Sequence, residues 1–191
     1  SGKSGSMKQV FIREYPNHTR DKFELLDILE YIQEAFNFGK GASRTRMDLH
    51  LNPPPALKSL FEWEASLNLD VLKYICGGES PIDYLDYGII GSWGIKYEKE
   101  AGLVIHNHFP YTYTCAYYLN VFEDSAPLMV IPNGNKDKKD AEPVEIKEGY
   151  MYVIPGWWYH YVEDNRSLDR TAIISNWLPE AQENLKVSNF N

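Results

Sequence analysis

The sequence predicts a mainly-β domain, a sandwich or barrel, with helices on its N-terminal side. Three observations point there. From Pro81 onward the chain breaks into short runs rich in β-branched and aromatic residues, separated by Gly, Pro, Asn or Asp. Fourteen tyrosines and five tryptophans bring the aromatic content to 14%, which favours strands and cavity walls over helical bundles. Before residue 80, by contrast, apolar residues recur at spacings of three and four, the helical period.

Taken in order, residues 1–6 (Ser-Gly-Lys-Ser-Gly-Ser) read as an expression-tag remnant, with natural sequence from Met7. Residues 7–191 are expected to form one domain: a helical part over 7–80, a β core over 81–178 and a tail over 179–191. A helix is predicted over 21–38, with Phe23, Leu26, Leu29, Ile32 and Phe36 on one face and Asp21 as N-cap, three residues before Glu24. Gly39 and Gly41 stop it. A loop over 40–55 ends in Pro53-Pro54-Pro55. A second helix over 55–76, broken near Asn68, buries Leu57, Leu60, Phe61, Val71 and Leu72 and ends at Gly77-Gly78. Strands are predicted at 82–87, 89–97, 103–108, 114–122, 128–131, 144–147, 150–154, 158–162 and 170–177. The polar, charge-mixed segment 133–143 reads as a solvated loop.

The 191 residues, 22.1 kDa, can bury about 70% of the surface their unfolded chain exposes, enough for a core without staples. A net charge of −8 argues against broad nucleic-acid binding, which needs a cationic footprint. No apolar run approaches a membrane span. Two cysteines, Cys76 and Cys115, make neither a disulfide framework nor a zinc cluster and suggest a reducing, cytoplasmic compartment.

Five histidines remain. His18 and His50 read as surface or hydrogen-bonded polar residues. His106 and His108 lie one residue apart in a predicted strand, so period two puts both on one face with Val104, while Leu103, Ile105 and Asn107 face away. Two imidazoles on one face can converge on one metal ion. The pair alone equally suits a solvated polar pair. His160 changes the balance. It follows Ile154-Pro155-Gly156-Trp157-Trp158-Tyr159, and a histidine in such an aromatic setting needs hydrogen-bond partners or a metal. Arg170 adds a fourth element. If 160–170 is a hairpin centred near Asn165, position 170 stands opposite 160 and shares its face. A buried arginine keeps its charge and requires an anion, a carboxylate being the natural bidentate partner. Taken alone, Arg170 also fits a surface ion pair with Asp164 or Asp169.

Two histidines on a strand, a distant third, and an arginine ten residues beyond it resemble the Fe(II)/2-oxoglutarate-dependent oxygenases. The similarity is greatest to a family of 2-oxoglutarate/iron oxygenases of bacteria and marine phages, related to prolyl hydroxylases. Its motifs match Trp93, then His106-Asn107-His108-Phe109, then Thr114-Cys115-Ala116-Tyr117-Tyr118-Leu119. They continue at Ile154-Pro155-Gly156-Trp157-Trp158-Tyr159-His160-Tyr161-Val162 and at Arg170-Thr171-Ala172-Ile173-Ile174-Ser175-Asn176. The resemblance covers about 90–177. It departs at Thr114, Cys115, Ala172 and Ile174; where the family's serine hydroxyl would assist the arginine, Ala172 cannot, and a nearby tyrosine could take that role. His108 stands where the wider superfamily has a carboxylate.

The resemblance implies a double-stranded β-helix, a cupin-like jelly roll, flanked by the N-terminal α-helices. It implies Fe(II) held by His106, His108 and His160, with 2-oxoglutarate and O2 as co-substrates. Arg170, Tyr118 and Asn176 would bind the co-substrate, with Arg170 on its far carboxylate. The implied reaction hydroxylates a small-molecule or peptide substrate while 2-oxoglutarate yields succinate and CO2, in the cytoplasm of a bacterium or a phage-infected host. Trp93, Trp157, Trp158, Tyr118 and Tyr159 either wall the cavity or pack the core. Two other readings stay open: a three-histidine cupin-type dioxygenase that does not use 2-oxoglutarate, and a non-catalytic jelly-roll binding module.

Overall fold

A computed structural model describes residues 10–31, 36–37, 42–77, 87–98, 100–163 and 170–179. Eleven strands and three helices occur among them: β1 (Phe11–Glu14), α1 (His18–Tyr31), β2 (Phe36–Asn37), β3 (Ala42–Arg44), α2 (Pro55–Ser66), α3 (Asn68–Ile75), β4 (Tyr87–Tyr97), β5 (Leu103–His106), β6 (Tyr113–Asn120), β7 (Leu128–Ile131), β8 (Glu142–Val144), β9 (Tyr150–Pro155), β10 (Tyr159–Val162) and β11 (Arg170–Pro179). The strands form two antiparallel sheets. The major sheet has the order β1-β9-β6-β11-β4-β3-β2, and the minor sheet β5-β10-β7-β8. The mainly-β expectation holds, and the strands from residue 89 onward fall within a few residues of their predicted places. The predicted 82–87 strand lies, except for Tyr87, outside the described residues, as do the tag segment and the tail beyond Pro179.

Period-two alternation explains why the major sheet is buried on both faces. Trp93, Ile95, Ala116, Tyr118 and Ala172 point inward and meet Leu128, Val130 and Val162 of the minor sheet. The opposite face of the same strands, with Tyr117, Leu119 and Ile173, packs against Leu25, Leu57 and Leu60 of the helices. Gly94 sits where α1 comes closest: a Cβ there would lie 2.6 Å from a Leu29 methyl. Further along this face, Tyr113, Cys115, Val153 and Trp177 meet Val71 and Leu72 of α3.

The N-terminal part differs from expectation. Helix α1 begins at His18, and the Asp21 amide already donates to the Asn17 carbonyl at 3.0 Å, so Asp21 is not the N-cap. Its buried carboxylate instead accepts from Tyr15 Oη at 2.7 Å and Arg20 Nε at 2.8 Å. The apolar face runs through Leu25 and Leu29, whereas Phe23 is 72% exposed. The part read as helical also contributes β1, β2 and β3 to the major sheet. Residues 55–76 do form two helices, broken at Leu67 with Pro55 in the first turn, and Gly77 follows with a left-handed φ of +74°. Among the described residues, no helix is long and apolar enough to cross a membrane.

Candidate metal centre

His106 closes β5 and His160 lies within β10, directly opposite it in the minor sheet. His106 and His160 do face each other, but simple period-two alternation does not hold along β5. His106 pairs with His160 and Leu103 with Val162, so β5 carries one extra residue, a β-bulge. Both Leu103 and His106 therefore face inward, while Val104 is 77% exposed and does not share their face. His108 lies past the end of β5. It is held by its backbone: its N–H donates to the Gly156 carbonyl at 2.9 Å, and Gly156 N–H donates to Thr112 O at 3.0 Å. This clasp between the 107–112 loop and the β9–β10 turn requires glycine, since a Cβ at position 156 would stand 1.7 Å from the Tyr111 carbonyl oxygen.

The three imidazoles converge. One ring nitrogen of each lies within 4.8 Å of the others, and His108 Nε2 is 3.2 Å from His160 Nε2. Such nitrogens contact each other only across a shared proton or a shared cation. His106 Nδ1–H donates to the Val104 carbonyl at 2.7 Å, which leaves Nε2 with its lone pair toward the cavity, as in a metal-ligating histidine. Burial, then repulsion by its neighbours, holds His160 well below the ordinary histidine range. Burial also lowers His106. Burial and His106 push His108 down to about 4, against which Asn176 raises it. Three neutral imidazoles in contact are a ready nitrogen donor set for a divalent transition metal. His160 Nδ1 is buried without a hydrogen-bond partner among the described residues. The residues fit a metal ion.

The histidines open onto a cavity of about 270 Å³ whose walls include Trp93, Tyr97, Tyr118, Leu128 and Ile174, with no Asp, Glu, Lys or Arg among its lining residues. Trp157, Trp158 and Tyr159 do not line it: Trp158 packs in the core and Trp157 is partly exposed. Arg170 lies behind the wall at the far end. It does not oppose His160 in a hairpin: β11 runs in the major sheet, and Arg170 pairs with Tyr97 of β4. It still faces inward, because inward positions on β11 are 170, 172, 174 and 176. Arg170 is fully buried. Its guanidinium carbon lies 4.7 Å from the Tyr97 ring centre and 5.6 Å from that of Tyr118. Nη1–H donates to the Ala126 carbonyl, while Nε and Nη2 have no hydrogen-bond partner among the described residues. A buried cation with two unused donors is a receptor for an anion.

Asn176, the other inward polar residue of β11, stands beside His108. Tyr97 is a site residue that sequence reasoning missed. Its signal was present, since period two from Trp93 reaches it, but its pairing with Arg170 was not readable. His18 and His50 are hydrogen-bonded elsewhere, His18 to Tyr117 Oη and Glu148 and His50 to Ser92 Oγ.

No family model and no curated protein matches the sequence. Solved structures do match. A 2OG-Fe(II) oxygenase family oxidoreductase from Burkholderia pseudomallei aligns with a TM-score of 0.64 at 13% identity, over 88% of this chain and 84% of that one. The viral collagen prolyl hydroxylase of Paramecium Bursaria Chlorella virus-1, in complex with 2OG, gives 0.65 at 10% identity over 89% and 96%. A Trichoplax adhaerens prolyl hydroxylase, in complex with a hypoxia inducible factor peptide, gives 0.60 at 12% identity over 96% and 88%. The chain has the jelly-roll fold of these oxygenases.

Proposed function

We propose that the protein is an Fe(II)- and 2-oxoglutarate-dependent dioxygenase. The observation that carries this reading is one apolar cavity on which three imidazoles converge, with a buried arginine, under-bonded among the described residues, behind its Tyr97 and Tyr118 wall. His106, His108 and His160 would hold the metal through neutral ring nitrogens. Bound Fe(II) would supply the redox chemistry that couples decarboxylation of 2-oxoglutarate to oxidation of a substrate C–H bond by O2. Arg170 would take the far carboxylate of 2-oxoglutarate in its planar fork, with Tyr97 and Tyr118 fixing the guanidinium plane. The uncharged walls keep water out and strengthen that ion pair. Asn176 would orient His108. The substrate is proposed to be a small molecule or peptide, by analogy with the neighbour that binds a peptide, and the compartment the cytoplasm.

Calorimetric titration of 2-oxoglutarate into Mn(II)-loaded protein without oxygen tests the reading. Wild type should bind. Arg170→Ala should keep its metal and lose about 30- to several-thousand-fold in 2-oxoglutarate affinity, the usual cost of truncating one partner of a buried charge pair. Metal binding without 2-oxoglutarate binding in wild type would transfer the protein to the three-histidine cupin-type dioxygenases.

A further inference from the structure

The three histidines are not held alike. His106 has both an anchored backbone and an oriented ring, through β5 pairing and the Nδ1–H bond to Val104 O at 2.7 Å. His160 sits within β10, paired on both sides, to β5 and to β7. His108 lies outside any strand, and its ring meets side chains only: Asn176 beside it, and His160 Nε2 at 3.2 Å from its own Nε2. The clasp to Gly156 fixes its backbone and leaves the side-chain torsions unspecified.

The face of the ring is held by a stack. The Trp93 indole lies parallel to the His108 imidazole, at an interplanar angle of 14° and 6.1 Å between centres. The His160 ring is also parallel to it, to within 6° at 5.0 Å between centres, with the two Nε2 atoms 3.2 Å apart. Trp93 has a rigid base. It is 6% exposed and paired with Ile174 of β11, and both its chain neighbours are tied down. Ser92 N–H donates to Met47 O at 3.1 Å, and Gly94 O accepts from Thr45 N–H at 2.9 Å. The indole is a fixed plate against which a mobile ligand ring can register.

We infer that Trp93 is a positioning residue that holds His108 in its ligating orientation. This rests on the reading that His108 is a metal ligand. The device works only for a ring: a carboxylate at position 108 has no face to stack, so Trp93 and an imidazole at this position form a matched pair. The indole does not touch the metal. It acts by reducing the torsional freedom that His108 would otherwise lose on ligation.

The test is a thermodynamic cycle on metal affinity, with no turnover required. Mn(II) is titrated calorimetrically into wild type, Trp93→Phe, Trp93→Ala, His108→Asp and the Trp93→Ala/His108→Asp double variant. Affinity should fall from wild type through Phe to Ala, by roughly 3- to 10-fold in all, the range of one aromatic pair. In the His108→Asp background the same truncation should change nothing. A tryptophan that merely fills the core would weaken both backgrounds equally, and that result overturns the inference, as do equal affinities across the three residues at 93. If His108→Asp holds no Mn(II), the ring proton signals of His108 decide. They should be shifted by the indole in wild type and move in Trp93→Ala more than those of His106; signals that stay put overturn the inference. A wild type that binds no Mn(II) removes the metal reading itself, whereas metal binding indifferent to Trp93 removes only this inference.

Discussion

Strand β11 buries polar side chains on both its faces, and the two faces behave differently. Inward, Asn176 stands beside His108 in a cavity where three imidazoles converge, and behind its wall Arg170 Nε and Nη2 have no hydrogen-bond partner among the described residues. Outward, one residue away, Ser175 donates to Oε1 of Glu64 of α2 at 3.1 Å and accepts from Trp177 Nε1 at 2.9 Å. Cys115 of β6 lies against the same carboxyl. Glu64 is only 2% exposed, and burial pushes its pKa up to about 8. Both clusters are buried, polar and electrostatically perturbed. The histidines and Asn176 of the inner cluster line one cavity, to which Glu64, Ser175 and Cys115 do not contribute. Perturbed ionisation alone therefore does not mark a site; convergence on a cavity does. The outer cluster is a seam between helix and sheet, whose carboxyl stays protonated.

The largest effect that could break this contrast belongs to the outer cluster. The Glu64 pKa is higher in the folded chain than its ordinary 4.5, so the folded state binds the proton more tightly. Its contribution to stability is fully present below about pH 4.5 and is lost progressively as pH rises toward 8, a change of up to about 5 kcal/mol. Urea unfolding between pH 5 and 9 should show this decline in wild type and a flatter profile in Glu64→Gln. The substitution should leave metal affinity unchanged; if metal binding falls with it, the two faces are not separate.

A smaller effect is expected for His160→Ala. Loss of an outer-sphere partner typically costs 10- to 100-fold in metal affinity, so loss of a ligand should exceed about 100-fold. Metal analysis after gel filtration checks this, and full retention would remove His160 from the donor set. Gly156→Ala should fall between: the added methyl has to push the 107–112 loop off the β9–β10 turn, and His108 moves with it. An affinity loss of about 10- to 100-fold with the far-UV spectrum unchanged is the expected result.

What the sequence made legible follows from the range of the interaction that decides each feature. The strands after residue 89 and the helix break at Leu67 rest on local period and on Pro and Gly punctuation, and the residues state them directly. Strands β1, β2 and β3 are two to four residues long and exist only because β1 has β9, β3 has β4 and β2 has β3 to pair with, so no local pattern announces them. The β5 bulge is of the same kind: it reverses the facing of Leu103 and Val104, and only the pairing with β10 reveals it. Arg170 reaches the interior through the major sheet, a register set by β4 and β6. Glu64 did leave a trace. It continues the helical stripe Leu57, Leu60, Phe61 and so occupies a position the period reserves for an apolar side chain.

The pairing of β1 with β9 and of β4 with β11 also bears on when the protein can assemble. Phe11 finds its partner at Val153 and Tyr97 at Arg170, so the major sheet joins residues that are far apart in the order of synthesis. Contacts of such separation form slowly, because loop closure must precede any gain from pairing. A nascent chain that has emitted both histidines of the 106–108 segment still lacks β10 and β11, and with them His160 and Arg170. Two of the three converging histidines are therefore in place before the third, and the cluster can close only once β10 has emerged.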